Sequence, residues 1–573
     1  MNVLEKLRSV FGDATPEGGD RQVFMAAVRP SGDPKFGDYQ ANGCMALAKT
    51  LGKNPRELAA AVREVVDLEP MADKPEVAGP GFLNVRLRDE WLSRTLAELL
   101  GDASLGLSGP GTTKKTVVVD FSSPNVAKPM HVGHLRSTVI GDSLARIFEA
   151  LGHRVVRDNH LGDWGSQFGM ILWGWKNARD AAAYEADPVA ELARLYRLAQ
   201  ERIRGGDKGV EEAGRAETVK LHAADPENRE LWRRFMPHCL KALAAMYQRL
   251  GVRFDVELGE SFYDPMLSDV VEDLSKRGIA EESEGAVVVF VDRKKAPFII
   301  RKSDGAFNYG TTDLATIQYR DKTWGPDQIL YVVDHRQGDH FKQLFAVARA
   351  WGYDKVDLQH VAFGTILGAD RKPFKTKQGD VVGLESLLDE AVAEARKVVD
   401  SNSPDLDPDE RARVAEVVGL GAVKYADLSQ NRISDYVFDW QKMLAMNGNT
   451  ATYLQYAYAR IQSIFRRGEV RPEDVRRRRP AILLSHPAER GLAARVVRLP
   501  EVLELAAAEL KPNIVTDYLF DLANAFSKFF EECPVLKAES AERRDSRLAL
   551  ADLTAETLKF GLNLLGIDVV DRM

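Results

Sequence analysis

The sequence predicts a multidomain α/β protein in which a parallel sheet lies between a small α+β unit and an all-α unit. The β-branched run 116–121 precedes a helical pattern over 135–148, which is the strand-to-helix order of a parallel sheet. Further strand signals alternate with helical ones up to about residue 390. From about residue 400 strand signals almost vanish, so the rest of the chain is predicted to be helical.

The 573 residues exceed what one hydrophobic core holds, so several structural units are expected. We place the α+β unit at residues 1–110, the parallel-sheet unit at 111–400 and the helical unit at 401–573. Long charged helices interrupt the second unit at about 176–290 and are interpreted as an insertion. A stretch rich in Gly, Ser, Thr and Pro at 105–115 is typical of a linker.

Local patterns define the individual elements. In the first unit we predict a helix around Met45–Lys49, a second helix capped by Asn54 before Pro55, and a strand over 82–87. After 116–121, the strands predicted for the parallel sheet are 155–158, 286–291, 329–334 and 358–363. The helices predicted after them are 384–399, 444–467, 488–510 and 514–532.

Composition restricts the class of protein. A net charge of −7 and a hydrophobic content of 45% are ordinary for a soluble globular protein. The negative net charge excludes a basic protein that covers nucleic acid with its whole surface. Cys44, Cys239 and Cys533 are far apart and form no CxxC pair, so neither a disulfide framework nor a zinc site is expected. The sequence has neither a signal-peptide pattern nor an apolar run of membrane-spanning length. We therefore expect a cytoplasmic protein that does not interact with membranes.

The turn between the strand 116–121 and the helix 135–148 carries the clearest chemical signal. It contains Lys128, His131, Gly133 and His134. Parallel sheets bind nucleotides at such turns, and a helix N-terminus attracts phosphate. Gly133 allows a flat ligand to approach the backbone. The alternative interpretation is an ordinary helix start with two structural histidines.

Seven segments, taken in order, resemble the arginyl-tRNA synthetases, a family of class I aminoacyl-tRNA synthetases. They are Phe36–Gln40, Val77–Asn84, Ser123–Thr138, Asp158–Gly169, Tyr309–Thr316, Asp334–Gln337 and Asn449–Arg460. The resemblance implies an N-terminal additional domain, a Rossmann-type catalytic domain with a connective insertion, and a helical anticodon-binding domain. It also implies a monomer that converts L-arginine and ATP into arginyl adenylate and transfers the arginyl group to tRNA(Arg). Family members usually need tRNA for the first step.

The resemblance assigns ATP binding to Lys128, His131, Gly133 and His134, and phosphate chemistry to the lysine and both histidines. A late loop of the family carries a Lys-Met-Ser-Lys motif, but here the matching region is Gly368–Gly379, with Lys375 and Lys377 as the candidate catalytic lysines. Lys128 is expected to compensate for the divergent motif. The alternative for Lys375 and Lys377 is a solvated basic loop. Mg²⁺ would arrive with ATP, since no protein metal site is expected.

Recognition of a guanidinium requires carboxylates and flat or apolar walls. Tyr309 and Asp313 share a helix face, although Asp313 could be a helix cap and Tyr309 a core residue. The resemblance assigns binding of arginine to Asn125, Glu260, Tyr309, Asp313 and Gln337.

For tRNA, the candidates are Tyr453, Tyr456 and Arg460, because aromatic rings stack on unpaired bases and arginines bind phosphate. Aromatics at helical spacing are also common in cores, and the basic run 476–479 is equally compatible with a solvated turn. Phe36 and Gln40 resemble family elements near the tRNA elbow.

Three other functions remain as alternatives. A small nucleotidylyltransferase would share the histidine turn but would not explain the helical unit. A non-catalytic tRNA-binding relative would not need Lys128, His131 and Asp313. A class I enzyme for cysteine would need a zinc site, for which the sequence offers no ligands.

Overall fold

A computed structural model describes residues 2–107, 114–126, 128–372, 374 and 382–573. Its N-terminal elements are α1 (Val3–Asp13), α2 (Arg21–Ala26), β1 (Val28–Pro30), β2 (Tyr39–Ala41), α3 (Gly43–Leu51), α4 (Pro55–Val65), β3 (Glu76–Ala78), β4 (Phe82–Val85) and α5 (Asp89–Leu99). The strands form an antiparallel sheet in the order β1-β2-β4-β3, so the predicted α+β unit is confirmed. As predicted, the Asn54 side chain caps α4, accepting a 2.9 Å hydrogen bond from the Arg56 N–H.

The central part contains the predicted parallel sheet. Its elements are β5 (Thr116–Asp120), α6 (Val132–Ala150), β6 (Arg154–Leu161), α7 (Ser166–Ala178), α8 (Ala181–Ala186), α9 (Pro188–Arg204), α10 (Lys208–His222), α11 (Pro226–Arg249), β7 (Val256–Gly259), α12 (Glu260–Tyr263), α13 (Leu267–Lys276), β8 (Glu281–Ser283), β9 (Ala286–Val289), β10 (Phe298–Arg301), α14 (Tyr309–Trp324), β11 (Gln328–Tyr331), α15 (Gly338–Trp351), β12 (Asp357–His360), β13 (Ile366–Leu367) and α16 (Leu384–Asn402). The parallel strand order is β12-β11-β5-β6-β7. The order reverses between β5 and β11, which is where doubly wound sheets bind ligands.

The strand predicted at 286–291 belongs to a different sheet, so that prediction is wrong. Residues 286–289 form β9, which pairs antiparallel with β8 and β10. A short β-branched run has the same pattern in either kind of sheet, so periodicity alone did not separate them. One edge strand of the parallel sheet is β7, which contains the exposed Glu257. This strand lies within the span 176–290 that was predicted to be an insertion.

The C-terminal part is helical, as predicted. Its elements are α17 (Pro408–Leu428), β14 (Tyr436–Val437), α18 (Trp440–Met443), α19 (Ala451–Arg467), α20 (Pro472–Arg478), α21 (Pro487–Val496), α22 (Leu499–Glu509), α23 (Asn513–Glu532) and α24 (Ala541–Leu564). The short strand β14 pairs parallel with β13 of the central part. None of the described helices is long and apolar enough to cross a lipid bilayer.

The N-terminal unit is attached to the helical unit by polar contacts that are buried or half-buried. Both carboxylate oxygens of Asp38 accept hydrogen bonds from the Arg490 guanidinium, at 2.8 and 3.0 Å. The hydroxyl of the buried Tyr39 donates to Glu501 at 2.8 Å. Asp38 and Tyr39 of the segment Phe36–Gln40 are therefore interface residues, whereas Phe36 is 40% exposed.

A buried arginine connects α14 to two strands of the parallel sheet. The Arg320 guanidinium donates to Asp120 at the end of β5 at 2.6 Å and to Asp158 in β6 at 2.8 Å. All three side chains are almost completely buried. Because each charge is desolvated, the carboxylates depend on this one cation.

We predict that Arg320→Met lowers the free energy of unfolding by about 3–5 kcal/mol, because it leaves two carboxylates buried without a counterion. Urea unfolding followed by circular dichroism measures the change. The control is Arg293→Met, which removes an exposed 3.1 Å ion pair with Glu281 and should cost less than about 1 kcal/mol. Equal effects of the two substitutions would contradict the account.

Candidate functional site

The turn after β5 has an unusual backbone. Ser122 and Ser123 adopt left-handed conformations with φ of 70° and 44°, which cost energy for residues with a side chain. Hydrogen bonds stabilise the turn: the Ser122 N–H donates to Ser137 Oγ at 2.8 Å, and Ser123 Oγ donates to Asp120 at 2.9 Å. The turn is therefore fixed to α6 on one side and to the Arg320 cluster on the other.

His131 and His134 form a reciprocal cap at the N-terminus of α6. The Nδ1 atom of His131 accepts from the Gly133 N–H at 3.0 Å, and Nδ1 of His134 accepts from the His131 N–H at 3.1 Å. In the neutral state each ring therefore carries its proton on Nε2. A Cβ at position 133 would lie 2.8 Å from the His131 ring, so the glycine makes this cap possible.

Burial favours the neutral form of both imidazoles. It lowers the pKa of His134 to about 3, with a further contribution from the neighbouring His131. Burial also lowers the pKa of His131, and the charge of Lys128 lowers it further. The ring centroids are 4.0 Å apart, so charging both rings would bring two cations together. The pair is suited to donate hydrogen bonds from Nε2 rather than to carry charge.

The segment after the late loop returns to this turn. The Val132 N–H donates to the Val382 carbonyl at 3.0 Å, and the Leu384 N–H donates to the Met130 carbonyl at 3.0 Å. Lys375 and Lys377 lie outside the residues that the structure describes.

Lys128 and Asn125 lie just before the histidines. The Lys128 ammonium is half-buried and lies 4.6 Å from the ring centroid of Tyr196 on α9, a cation–π contact with the insertion. Asn125 is exposed, and its Oδ1 accepts a 3.0 Å hydrogen bond from Gln167.

A cavity of about 190 Å³ lies beyond the carboxyl ends of the parallel strands. It is lined by His160, Glu260, Tyr309, Thr312, Asp313, Val333, Gln337, His340 and Phe341. Four of the five predicted arginine-binding residues thus come together, while Asn125 lies outside this lining. They meet because Glu260 follows β7, Gln337 follows β11, and α14 presents both Tyr309 and Asp313 on one face.

Negative charge is concentrated in this cavity. Burial raises the pKa of Glu260, and the nearby carboxylates of Asp163 and Asp313 raise it further, whereas His160 opposes the shift. A cationic ligand lowers the repulsion between carboxylates that are partly desolvated close to one another. The cavity therefore favours a group such as a guanidinium.

Two histidines of this cavity were missed by the sequence analysis. Nε2 of His340 lies 2.7 Å from Asp313 Oδ2, and its ring is 4.8 Å from that of Tyr309. His160 faces Glu260 from β6. His340 lies only three residues after Gln337, so the spacing was a usable signal once Gln337 was singled out.

The candidate tRNA residues lie on α19 with different exposures. Tyr456 is 37% exposed, whereas the hydroxyl of the half-buried Tyr453 donates to Asn524 at 3.0 Å. The Arg460 guanidinium lies 4.2 Å from the Phe530 ring centroid.

Much of the charge of the run 476–479 is neutralised within the protein. Arg476 pairs with Asp552 at 2.7 Å, and Arg478 pairs with Asp545 at 3.0 Å.

Within the ranges that the structure describes, no three His, Cys, Asp or Glu side chains come together as ligands for a metal ion.

We predict that acidification destabilises the protein partly through His134. The folded state lowers the pKa of this ring to about 3, below the roughly 6.5 of a free imidazole, so the unfolded chain binds the proton more readily. The free energy of unfolding should therefore fall as the pH drops below about 6.5, by at most about 1.4 kcal/mol per pH unit from this group. Urea unfolding of the wild type and of His134→Gln from pH 7 to pH 4.5 measures the difference. Parallel pH profiles for the two proteins would contradict a neutral, buried ring.

Three models of known protein families match successive parts of the chain. The class I tRNA synthetase (R) catalytic domain matches residues 96–440. The arginyl tRNA synthetase N-terminal domain matches residues 2–87, and the DALR anticodon-binding domain matches residues 454–573.

Individual relatives agree with the family matches. The chain is 47% identical to an arginine–tRNA ligase of Shigella sonnei, with 100% of both chains covered, and 43% identical to one of Rhodopirellula baltica, with 96% of both covered. Among solved structures, arginyl-tRNA synthetase from Plasmodium falciparum superposes with a TM-score of 0.83 at 28% identity, covering 100% of this chain and 99% of that one. The Thermus thermophilus enzyme gives 0.82 at 25% identity, with 100% of both chains covered. The chain therefore belongs to the arginyl-tRNA synthetase family of class I aminoacyl-tRNA synthetases.

Proposed function

We propose that the protein activates L-arginine with ATP to form arginyl adenylate and then transfers the arginyl group to the 3′ end of tRNA(Arg). One observation carries the proposal beyond family membership. An acidic cavity and a histidine turn with neutral rings lie at the carboxyl edge of the same parallel sheet. The first suits a guanidinium, and the second suits phosphate.

In the first step, an oxygen of the arginine carboxylate forms a bond to the α-phosphorus of ATP while the bond to pyrophosphate breaks. The protein contributes mainly by positioning the reactants. Asp313 and Glu260 bind the guanidinium, and His340 holds one oxygen of Asp313 so that the other remains free. Tyr309 provides a flat wall, while Gln337 and Asn125 orient the amino-acid end.

The phosphates are held from the other side. His131 and His134 donate from Nε2 to phosphate oxygens, and the N-terminus of α6 adds its positive end. The positive charge that balances the phosphates comes from Lys128, from Lys375 and Lys377, and from Mg²⁺ bound to ATP.

In the second step, a ribose hydroxyl at the 3′ end of tRNA attacks the arginyl carbonyl, an ester bond forms and AMP leaves. The helical unit holds the tRNA, with the exposed Tyr456 available for base stacking and Tyr453 and Arg460 beside it. We propose that the enzyme acts as a monomer in the cytoplasm.

The direct test is a charging assay with each amino acid, ATP, Mg²⁺ and bulk tRNA. We expect esterification of arginine alone. Tight binding of tRNA without charging would favour a non-catalytic relative instead. Arginine-dependent pyrophosphate exchange without transfer to any RNA would favour a nucleotidylyltransferase.

We predict that Asp313→Asn raises the KM for arginine at least 100-fold, because the guanidinium loses a charged partner in a partly desolvated site. The KM for ATP should change less than threefold. Pyrophosphate exchange with tRNA present, at varied arginine and varied ATP, separates the two effects. The control is Asp339→Asn, whose carboxylate is 97% exposed on the neighbouring helix α15 and should leave both constants unchanged. An unaltered arginine KM in Asp313→Asn would refute its assignment.

We predict that Lys128→Ala slows adenylate formation more than Lys375→Ala does. Lys128 is close enough to both histidines to lower their pKa, so its charge is directed at the site where phosphates would bind. Single-turnover measurements with tRNA present, at saturating arginine and ATP, compare the two variants. A larger loss in Lys375→Ala would make the late loop the main source of positive charge.

A further inference from the structure

The contact between Lys128 and Tyr196 joins the histidine turn to the insertion. Lys128 lies three residues before His131, and its ammonium is 4.6 Å from the centroid of the Tyr196 ring. A cation is attracted to the face of an aromatic ring because negative charge density is concentrated there. This attraction holds the ammonium in place and leaves its charge intact, whereas an ion pair with a carboxylate would neutralise it.

Two closely packed helices determine where the Tyr196 ring lies. Tyr196 belongs to α9, and its neighbour Leu195 is completely buried against α7. A Cβ added to Gly174 of α7 would lie 2.9 Å from Leu195 Cβ, so the two helices are in close contact at this point. The Tyr196 side chain is itself half-buried and packs against the hydrophobic core. The ring therefore has a defined position relative to the rest of the fold.

The ammonium of Lys128 has other positions within reach. A cavity of about 330 Å³ lies between the turn and the insertion, and Lys128 is one of its lining residues. Asp187 and Glu385, which both carry carboxylates, line the same cavity. A lysine has a flexible four-carbon stem and a compact charge, so its ammonium can turn towards either carboxylate. The Tyr196 ring opposes this freedom by offering the ammonium a different position.

In the position beside Tyr196, the charge of Lys128 acts on the histidine turn. Burial lowers the pKa of His131 and of His134, and the charge of Lys128 adds to each shift. The backbone of the lysine is fixed as well, since its N–H donates to the Asn125 carbonyl at 3.1 Å. The turn thus holds one end of Lys128, and the insertion holds the other.

We propose that Tyr196 is a positioning residue for adenylate formation: its ring holds the Lys128 ammonium beside the histidine turn. The inference rests on the proposed function, in which Lys128 supplies positive charge to the phosphates of ATP. Tyr196 acts only through Lys128, so its effect must disappear when the lysine is absent. Neither residue lines the acidic cavity, so the affinity for arginine should not depend on the ring.

The test measures the single-turnover rate of arginine-dependent pyrophosphate release, with tRNA present, enzyme and ATP saturating, and arginine limiting. With the enzyme saturating, a fraction of unfolded protein does not change the rate constant. We expect Tyr196→Leu to slow the step about three- to tenfold, because the ammonium loses the ring face. Tyr196→Phe keeps the ring and should stay within about twofold of the wild type.

The matched control is Trp173→Leu. It removes a cation–π contact between α7 and α9, in which the Arg202 guanidinium lies 5.7 Å from the ring centroid. The rate should stay within about twofold of the wild type, since this contact does not involve Lys128.

A second measurement introduces Tyr196→Leu into the Lys128→Ala variant. There we expect the rate to change by less than about twofold, since the ring has no ammonium to hold. Equal slowing with and without Lys128 would show that the ring acts through packing alone and would overturn the inference. A wild-type rate in Tyr196→Leu, or an equally slow Tyr196→Phe, would also overturn it.

Increasingly fluorinated phenylalanines at position 196 decide the question if Tyr196→Leu does not fold. Fluorine withdraws negative charge from the ring face with little change of shape, so the rate should fall stepwise with the number of fluorines. A rate that does not depend on fluorination would overturn the inference. A wild type that releases no pyrophosphate with arginine, ATP and tRNA would instead overturn the proposed function.

Discussion

The contact between Arg320 and two aspartates is the constraint on which the site depends. Asp120 ends the strand that leads into the histidine turn, and Asp158 lies on the next strand. Arg320 belongs to α14, whose first turns carry Tyr309 and Asp313. One buried cation therefore fixes the acidic cavity relative to the histidine turn. Since all three groups are desolvated, alternative arrangements that separate them are strongly disfavoured.

The two halves of the site use burial in opposite ways. Around Glu260, burial and neighbouring carboxylates raise the pKa and disfavour the ionised form, which a cationic ligand would stabilise. Around His131 and His134, burial removes positive charge and leaves neutral donors in a fixed orientation. In the proposed function these fixed Nε2–H groups donate to phosphate oxygens. The proposal assigns the balancing positive charge to lysines, which act as point charges.

Much of this arrangement could be predicted from the sequence, because it depends on local order. The histidine turn follows a strand and begins a helix, and the spacing of Tyr309 and Asp313 gives them a common face. Contacts between distant segments were not predictable in this way. The pairing of β9 outside the main sheet leaves no periodic signal in the sequence. The same is true of the hydrogen bonds from Arg136 to the carbonyls of Arg432 and Ser434. His340 was missed because its role is defined by Asp313, 27 residues away in the chain.

The central claim is that arginine and ATP bind side by side at one edge of the parallel sheet. A crystal structure with L-arginine and a non-hydrolysable ATP analogue tests it most directly. The account predicts the guanidinium between Asp313 and Glu260, and phosphate oxygens within hydrogen-bond distance of Nε2 of His131 and His134. A guanidinium bound away from both carboxylates, or a triphosphate that does not contact the histidine turn, would contradict it.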